Sequence, residues 1–571
     1  MSDPRPSCSY GKKCYRRNPD HFKEYKHSHI EKAFKNDDLK DELSTLQKIQ
    51  LGIVQSLANE GSIQIDSNEP EADQSKEENM QKKVNPRSQD ENGESPLQKK
   101  KKLDEEERKV SQIQGHGPAQ LKDIQSSSAS ALQASGFRTV LDKWKSAAPF
   151  HLFLSKIAHV ERTHEEPLTL SFSDILDPSM GNVVESVQIN YMCSPGWLLA
   201  QYCVHNLQKT QITVFYGSEN PEVEAVASKV PTLTAVRLKP KYLFGQHHTK
   251  MCLLYYDDQS MRVVVHTGNL YENDWEDRTQ GLWISPRCYT GKGDMDSATF
   301  FRRDLISYLN TYEQPKLINK WIERLNKLDM SEIRVFLIGS VPGNHAEKSF
   351  GHPRLATLLR LHTTQVAKPE DWKIVAQCSS IGSLGPQPKA WFQGEFATAL
   401  STAGSQGPKL GLVNSHLVEL IYPSYSDVKS SLHGLAGGGC LPYSRKTHSN
   451  QTWLTDYLNH WKSDTRFRTK AMPHIKSYSR ISSDGSKALW FILSSANVSK
   501  AAWGMRNKAG NLTIQAWEAG ILFLPKFFNL GSDFDCNYSS SNVPNAIPIH
   551  YDFPLKKYQD DEQPFFIDVL P

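Results

Sequence analysis

The sequence of 571 residues contains no run of 18 or more apolar residues, so we expect no transmembrane helix. Its first residues, MSDPRPSCSYGKKC, also lack the apolar core of a secretory signal peptide. The nine cysteines are odd in number and scattered along the chain, which argues against a disulfide framework. Together these absences predict a protein of a reducing, intracellular compartment that does not act at a membrane.

An excess of either sign of charge is also lacking. The sequence holds 67 Lys and Arg residues against 63 Asp and Glu residues, for a formal net charge of +4 at pH 7. This balance neither requires nor excludes a polyanionic partner, so local clusters must decide. Hydrophobic residues make up 38% of the chain, which is enough for the cores of two or three domains.

Composition divides the chain into regions. Residues 31–60 carry leucines at near-helical spacing and predict a helix. Residues 61–145 are rich in Gln, Ser, Glu and Lys, which predicts a disordered linker. The run Lys99 to Lys102 within it is either solvated charge or a nuclear import signal, and on the second interpretation we expect the nucleus, alongside the cytoplasm. From about Phe150 onward, strand-like and helix-like stretches alternate and indicate an α/β fold.

A group of metal-binding residue types lies near the N-terminus. Cys8, Cys14, His21 and His27 follow the spacing C-x5-C-x6-H-x5-H, and two thiolates with two imidazoles satisfy tetrahedral zinc. So short a segment cannot build a hydrophobic core, so metal binding would have to supply its folding free energy. His29 is an alternative fourth ligand, and a chance cluster of unligated side chains is the competing interpretation.

The spacing differs from that of DNA-reading zinc fingers, whose cysteines lie closer together. Together with the short motifs YG, CYR and NP, it resembles the poly(ADP-ribose)-binding zinc finger family over residues 5–30. The resemblance implies a structural zinc ion and polymer contacts by Tyr10, Tyr15 and Arg16. It also implies ADP-ribosylated chromatin proteins as partners. Aromatic faces suit adenine, and arginine suits pyrophosphate.

One arrangement of residue types occurs in the stretch GQHHTKM and the residues after it. His248 and Lys250 precede the β-prone run MCLLYY, and strand alternation places both on one face with His247 on the other. A turn at DDQS and a second run, MRVVVH, complete a predicted hairpin. We expect this hairpin to bring Asn269 beside His248 and Lys250.

The arrangement occurs a second time. His474 and Lys476 precede SYSRI, a turn, and ALWFILSS, and Asn497 follows. Gln280 comes after the first copy in TQGLW, and Glu518 comes after the second in AWEAG. A single HxK motif is weak evidence, and one copy alone would favour a core histidine with a strand-end lysine. Two copies with matching hairpins indicate an internal duplication.

These residue types point to phosphate chemistry. Two lysines and two asparagine amides can surround the oxygens of one phosphate and stabilise negative charge there. A neutral imidazole can attack phosphorus while a protonated imidazole donates to the leaving group. Because the lysines supply the cationic charge, we expect no cofactor for catalysis.

The motifs resemble the phospholipase D superfamily, whose general signature is H-x-K-x4-D. Tyr255 and Ile481 stand here where the two aspartates would be. That departure, with FGQHHTKM, VVVHTGN, TQGLW, QCSSIGSLG, LPYS, AMPHIKSY, SSANVSKAAWG and the motif ExGILFLP, makes the chain similar to the tyrosyl-DNA phosphodiesterase family. The resemblance implies a monomer with two similar α/β halves, 146–335 and 336–571, related by a pseudo-two-fold around a shared cleft.

The same resemblance implies hydrolysis of the 3′-phosphotyrosyl bond between a DNA 3′ end and a topoisomerase I remnant, and of other 3′-blocking groups. His248 would form a phosphohistidine, and His474 would protonate the tyrosine and then activate water. Four side chains would hold the phosphoryl oxygens: Lys250, Lys476, Asn269 and Asn497. Supporting groups are expected to reach the opposite histidine, so that Glu518 strengthens His248 and neutral Gln280 orients His474.

The DNA partner would be a 3′ end, either single-stranded or in nicked or frayed duplex. The resemblance implies backbone contacts, which read no base sequence, by Ser380, Ser383, Ser499 and Lys500. Phe244 would either stack on a base or pack in the core. Two other functions stay open: another nuclease or lipid phosphodiesterase of the superfamily, or a poly(ADP-ribose)-reading scaffold with a non-catalytic core.

Overall fold

The computed structural model describes residues 5, 22–23, 25–36, 51, 54–55, 57–58 and 63, and residues 136–570 except 243–244, 292–294, 347, 405–416 and 538–544. The chain divides into two compact units, 1–94 and 95–571. Several predicted features lie outside the described residues: Cys8, Tyr10, Cys14, Tyr15, Arg16, His21, Phe244 and the basic run at 99–102.

In the N-terminal unit a helix spans Ser28–Lys35. It ends because Asn36 adopts an extended backbone, and the sequence NDD that starts there favours capping over a helix interior. Leu51, Val54 and Leu57 are again helical. The single helix predicted over 31–60 is therefore interrupted at Asn36.

A small apolar core joins these segments of the N-terminal unit. Its buried members come from both sides of the interruption: Phe22, Ile30, Leu51, Val54, Leu57 and Ile63. Arg5 donates to the Phe22 carbonyl oxygen at 2.5 Å and pairs with Glu31 at 3.0 Å. The finger segment does not build this core by itself, because Leu51, Val54, Leu57 and Ile63 contribute four of its six buried members. Side chains from residues 51–63 thus add apolar burial worth roughly 25 cal/mol per Å² to whatever a metal ion supplies.

The last ten residues of the predicted linker belong instead to the large unit. Thr139 caps a helix over Val140–Ser146 by accepting the Asp142 amide at 3.0 Å, and Val140 is fully buried. One capped amphipathic helix suffices to bury Val140, although composition averaged over a long polar segment conceals it.

The first large sheet contains eight strands. They are β1 (Leu152–Ser155), β2 (Thr169–Leu170), β3 (Val183–Ile189), β4 (Gln211–Tyr216), β5 (Leu233–Arg237), β6 (Met251–Tyr256), β7 (Met261–His266) and β8 (Gly281–Ile284). Their order across the sheet is β2-β1-β8-β7-β6-β3-β4-β5. β3, β4 and β5 run parallel, whereas β6, β7 and β8 pair antiparallel.

The remaining strands form the second large sheet and a small one. They are β9 (Phe336–Ser340), β10 (Gly343–His345), β11 (Trp372–Gln377), β12 (Val418–Ile421), β13 (Leu458–Asn459), β14 (Ser477–Ser482), β15 (Lys487–Ser494), β16 (Met505–Arg506), β17 (Leu512–Ile514), β18 (Glu518–Phe523), β19 (Phe534–Asn537) and β20 (Ala546–Pro548). The large sheet has the order β13-β12-β11-β14-β15-β18-β9, with β19 paired to β15 and β20 paired to β19. The small sheet has the order β10-β17-β16.

The two large sheets repeat one topology. Across the first, the order β5-β4-β3-β6-β7-β8-β1 corresponds strand by strand to β13-β12-β11-β14-β15-β18-β9 in the second. The predicted hairpins are β6–β7 and β14–β15, and they occupy the same place in each sheet. The predicted α/β fold of two similar halves is confirmed.

Helices lie between the strands along the chain. In the described part of the large unit the α-helices are Val140–Ser146, Arg162–Glu165, Phe172–Ile175, Pro195–Val204, Pro221–Ala227, Glu272–Glu276, Phe301–Asn310, Pro315–Lys327, Gly351–His362, Thr398–Leu400, Tyr425–Lys429, Arg445–Ser449 and Lys500–Trp503. Strand alternation sorts the core, since Leu253 and Val263 join an apolar cluster shared with the second sheet, whereas Leu254 and Val264 join a separate cluster.

Replacing Val54 by Asp should destabilise the N-terminal unit, because an unpaired carboxylate in an apolar core costs several kcal/mol. In hydrogen–deuterium exchange on the full chain, the helix Ser28–Lys35 should lose protection. Gln55→Asp, at a half-buried neighbouring position, is the matched control and should keep it. Undiminished protection in Val54→Asp would show that the second segment does not support the finger.

Candidate active site

Both HxK motifs lie in extended segments directly before β6 and β14. The segments that lead into β8 and β18 pair with them across the two halves. The His248 amide donates to the Trp517 carbonyl oxygen at 2.9 Å, and the His474 amide donates to that of Thr279 at 3.0 Å. Each half therefore places its supporting residues beside the histidine of the other half.

Glu518 holds His248. Its Oε2 lies 3.0 Å from His248 Nδ1 and accepts the Ser495 hydroxyl at 2.5 Å. Because a carboxylate can only accept, Nδ1 carries the hydrogen and Nε2 keeps a lone pair. Burial lowers the pKa of His248 even though Glu518 opposes this, so the ring is neutral at pH 7. A neutral imidazole with a basic Nε2 is suited to nucleophilic attack.

Two side chains of the first half reach His474 Nδ1. Gln280 Nε2 lies at 3.2 Å, where the sequence predicted it, and Asp274 Oδ2 lies at 3.1 Å. Burial would raise the pKa of Asp274, but His474, Arg278 and the Asn269 amide hold it below its usual range. An ionised Asp274 takes the Nδ1 hydrogen, so a carboxylate that the sequence did not predict joins Gln280 beside His474. The Gln280 amide then donates to the Asp274 carbonyl oxygen at 2.8 Å.

His474 is therefore the counterpart of His248, with a carboxylate on Nδ1 and a lone pair on Nε2. Burial, Lys476 and Lys250 lower its pKa to about 3, against the opposing effect of Asp274. The ring is neutral in the ligand-free protein. An anion bound between the two lysines would offset their charge and make protonation of His474 easier.

Lys250 and Lys476 form the cationic part of the site. Both are fully buried, and each ammonium group donates to the carbonyl oxygen of the histidine two residues earlier. Burial lowers the pKa of Lys250 to about 8, and burial together with Lys250 lowers that of Lys476 to about 7. Two like charges held close together out of water favour an anion between them.

The two asparagines are held in different ways. The Oδ1 of Asn497 accepts the amides of Ser379 and Ser380, both at 3.0 Å, which leaves its NH2 group to donate elsewhere. The backbone of Asn269 donates to Asp274 at 2.6 Å and accepts from Trp275 at 2.9 Å. Both contacts fix the chain where it leaves the hairpin.

The predicted DNA-contact residues lie in two neighbouring loops. Ile381 pairs with Val498, so the loop after β11 that carries Ser380 and Ser383 lies beside the loop after β15 that carries Ser499 and Lys500. The Ser499 hydroxyl also accepts the Ala502 amide at 3.1 Å and caps the following helix. These loops form one polar surface next to Asn497.

His247, by contrast, faces the core as predicted. Its Nδ1 contacts the Asn190 carbonyl oxygen at 3.0 Å, and its Nε2 lies 3.2 Å from the Tyr312 hydroxyl. Burial lowers its pKa to about 3. His247 is therefore a satisfied core residue that takes no part in the site.

Of the four predicted zinc ligands, the structure describes His27. It is buried, its ring packs on Phe22 at 4.6 Å, and its Nδ1 contacts the Tyr25 carbonyl oxygen at 3.3 Å. A backbone contact of this kind commonly orients a metal-binding imidazole. This environment and the soft donor set of the sequence fit zinc.

Sequence reasoning missed Asp274, Arg278 and Ser495. Asp274 follows Asn269 by five residues, but the residue five places after Asn497 is Ala502. The duplication that pointed to the other residues therefore gave no signal for Asp274. Its position within the charged run ENDWEDR was the only available indication, and a charged run is ordinarily solvent-exposed.

Comparisons with known proteins agree with this geometry. A family profile described as tyrosyl-DNA phosphodiesterase matches residues 151–559, and one described as PBZ domain matches residues 5–30. A Drosophila melanogaster protein named tyrosyl-DNA phosphodiesterase 1 is 38% identical over 605 aligned positions, which cover 99% of each chain. A Caenorhabditis elegans protein named probable tyrosyl-DNA phosphodiesterase is 34% identical over 67% of this chain and 82% of its own.

A crystal structure of the yeast tyrosyl-DNA phosphodiesterase shares the fold. It superposes with a TM-score of 0.58 at 17% identity and covers 73% of this chain and 99% of its own.

The affinity of the site for sulfate should fall as the pH rises from about 6 to about 9. The pKa values of Lys476 and Lys250 are lowered to about 7 and about 8, so each ammonium group is charged below its pKa and neutral above it. Each neutralised lysine should weaken binding by up to about tenfold per pH unit. Sulfate keeps its charge throughout, so titration calorimetry reports the lysines. Lys476→Met should remove the first decline, and a pH-independent affinity in the wild type would contradict the assignment.

Proposed function

The chain belongs to the tyrosyl-DNA phosphodiesterase family, and we propose that it hydrolyses 3′-phosphotyrosyl bonds between DNA 3′ ends and topoisomerase I remnants, together with other 3′-blocking groups. The observation that carries this proposal is that His248 and His474 are held in the same way. Each has its Nδ1 held by a carboxylate of the opposite half, and the two buried lysines lie beside them. One phosphoryl group between them can be attacked from one side while the leaving group departs on the other.

In the first step, Nε2 of neutral His248 attacks phosphorus and forms a phosphohistidine, and the bond to the tyrosine oxygen breaks. His474, protonated once the phosphate offsets Lys250 and Lys476, gives its Nε2 proton to that oxygen. In the second step, neutral His474 takes a proton from water, whose oxygen attacks phosphorus. The bond between phosphorus and His248 Nε2 breaks, which releases a 3′-phosphate and restores His248. Positioned proton transfer of this kind contributes about 10²–10⁴-fold to a rate.

The lysines and asparagines stabilise the charge that develops on the phosphoryl oxygens. Lys250, Lys476 and the Asn497 amide donate to these oxygens, and Asn269 completes the set. Ser380, Ser383, Ser499 and Lys500 bind the backbone of the DNA strand. Hydroxyl and ammonium contacts to phosphate are independent of base sequence, which suits an enzyme that acts wherever a lesion forms.

A scaffold role fits the large unit poorly. Burying two ammonium groups and two carboxylates is costly unless each charge is compensated. A surface that only binds poly(ADP-ribose) would gain nothing from such a buried cluster, whereas a phosphoryl-transfer site requires it.

We propose that residues 5–30 hold a structural zinc ion through Cys8, Cys14, His21 and His27, and that they bind poly(ADP-ribose). Binding to this polymer would bring the enzyme to ADP-ribosylated chromatin proteins near broken DNA, which implies the nucleus, with a cytoplasmic fraction. Residues 61–135 would then act as the tether. A monomer suffices, because both histidines come from one chain.

The two histidine variants should fail at different steps. With a 3′-phosphotyrosyl oligonucleotide in excess chelator, the wild type should release tyrosine without divalent metal. His248→Ala should form no covalent adduct, whereas His474→Ala should accumulate one, because the water step lacks its base. A denaturing gel measures both.

Substitution of the half-exposed His205 by Ala is a control outside the site and should behave as the wild type. Equal adduct from His248→Ala would show that another residue is the nucleophile. Loss of wild-type cleavage in chelator would overturn the metal-free mechanism.

Cys14→Ala should abolish poly(ADP-ribose) binding by the full chain. Loss of one thiolate ligand lowers the zinc affinity on which folding of the finger depends. Filter binding of the polymer measures this, and cleavage of the 3′-phosphotyrosyl oligonucleotide should stay unchanged. Cys536→Ala is the matched control, because Cys536 lies in β19, outside the finger. Unaltered polymer binding in Cys14→Ala would remove the finger from this role.

A further inference from the structure

The two carboxylates that hold the histidines are themselves supported in different ways. Glu518 accepts the neutral Ser495 hydroxyl at 2.5 Å. Asp274 instead forms an ion pair with Arg278 through its second oxygen, Oδ1. The two halves repeat one topology, so this difference between a hydroxyl and a guanidinium breaks the symmetry of the site.

Arg278 is built into its position. Its guanidinium donates to Asp274 and to the Tyr271 hydroxyl at 2.9 Å, and its side chain is only 13% exposed. Gly439 of the second half lies against it, since a Cβ built on that glycine would be 3.7 Å from Arg278 Nη2. The ion pair is therefore largely shielded from water, where charge interactions are stronger than at an exposed surface.

A shielded positive charge on one oxygen of a carboxylate withdraws electron density that the other oxygen would offer to a proton. Asp274 consequently holds the proton of His474 less tightly than Glu518 holds that of His248. We propose that Arg278 is a positioning residue: once a bound phosphate has allowed His474 to be protonated, Arg278 makes that ring the stronger acid, while His248 stays the more basic nucleophile. This inference rests on the proposed function, because it concerns the same two histidines.

The other charged and titratable groups around His474 and Arg278 do not replace this effect. Lys250 and Lys476 lower the proton affinity of both histidines and so do not distinguish them. Tyr271 and Cys440 lie near Arg278, and Glu518 lies near Lys476. Asp277, next to Arg278 in the chain, pairs with His433 at 3.1 Å. Burial raises the pKa of both Tyr271 and Cys440, so these two groups are neutral near pH 7. Arg278 is thus the charge that acts on one histidine through one carboxylate.

The test is Arg278→Gln in the full chain, followed by nitrogen NMR of the histidine side chains in the sulfate-bound protein. The titration of His474 should move upward by about one pH unit, which is about a tenfold change in proton affinity. The titration of His248 should not move. Arg278→Lys keeps the charge and should restore the wild-type titration of His474.

Cleavage gives an independent measurement. In Arg278→Gln the alkaline limb of the pH profile for adduct formation should move upward by about the same interval. The effect should be smaller for a 3′-p-nitrophenyl ester, whose leaving group needs less protonation. Ser495→Ala should move the titration of His248 instead, and the exposed Arg303→Gln is the matched control that should move neither.

Three outcomes would overturn the inference. They are an unmoved His474 titration, an equal shift of both histidines, or a rate that drops equally at every pH, as expected of a purely structural residue. If Arg278→Gln misfolded, Arg278→Met, which has an apolar side chain of similar length without the charge, would replace it and should move the His474 titration upward by the same interval. If no variant cleaved a 3′-phosphotyrosyl strand while the His474 titration still moved, the proposed function would fail and the link between Arg278 and His474 would stand.

Discussion

The site depends on backbone pairing between the two halves. Trp517 and Thr279 accept the amides of His248 and His474, so the segment that carries each supporting carboxylate or amide lies beside the opposite histidine. Without this backbone pairing between the halves, each half would hold a histidine and a lysine but no group to fix the tautomer of the histidine. A complete site therefore exists only when both halves are folded together, and its preorganisation comes from backbone geometry that side-chain motion cannot relax.

The backbone pairing between the halves also lowers the free-energy cost of burying the two lysines. Two ammonium groups with lowered pKa values would be costly in isolation, but Glu518 and Asp274 lie close enough to raise them partly again. A bound phosphate would compensate the remaining positive charge. The buried lysines thus reduce the stability of the folded protein and increase its affinity for an anion, as is common at catalytic sites.

A duplicated fold gives two similar histidines, whereas the proposed reaction needs one nucleophile and one acid. The halves therefore have to differ, and they differ away from the repeated motifs. Glu518 opens β18, whereas Asp274 lies on the short helix Glu272–Glu276. The corresponding helix of the second half, Lys500–Trp503, has Ala502 at the position of Asp274 and so offers no carboxylate. Divergence in a connecting segment can change the proton affinity of one histidine without disturbing the strands that position both.

The sequence alone determined the repeated features: the α/β class, both hairpins, the HxK pairs, and the alternation that separates His248 from His247. These are local patterns of hydrophobicity and spacing, which strand geometry converts directly into orientation. Only the tertiary structure decided that Asp274 and Arg278 join the site, that residues 51–63 complete the core of the N-terminal unit, and that Val140 belongs to the large unit. The reason is physical: burial and ion pairing between distant segments depend on how the elements pack, and no local spacing in the chain encodes them.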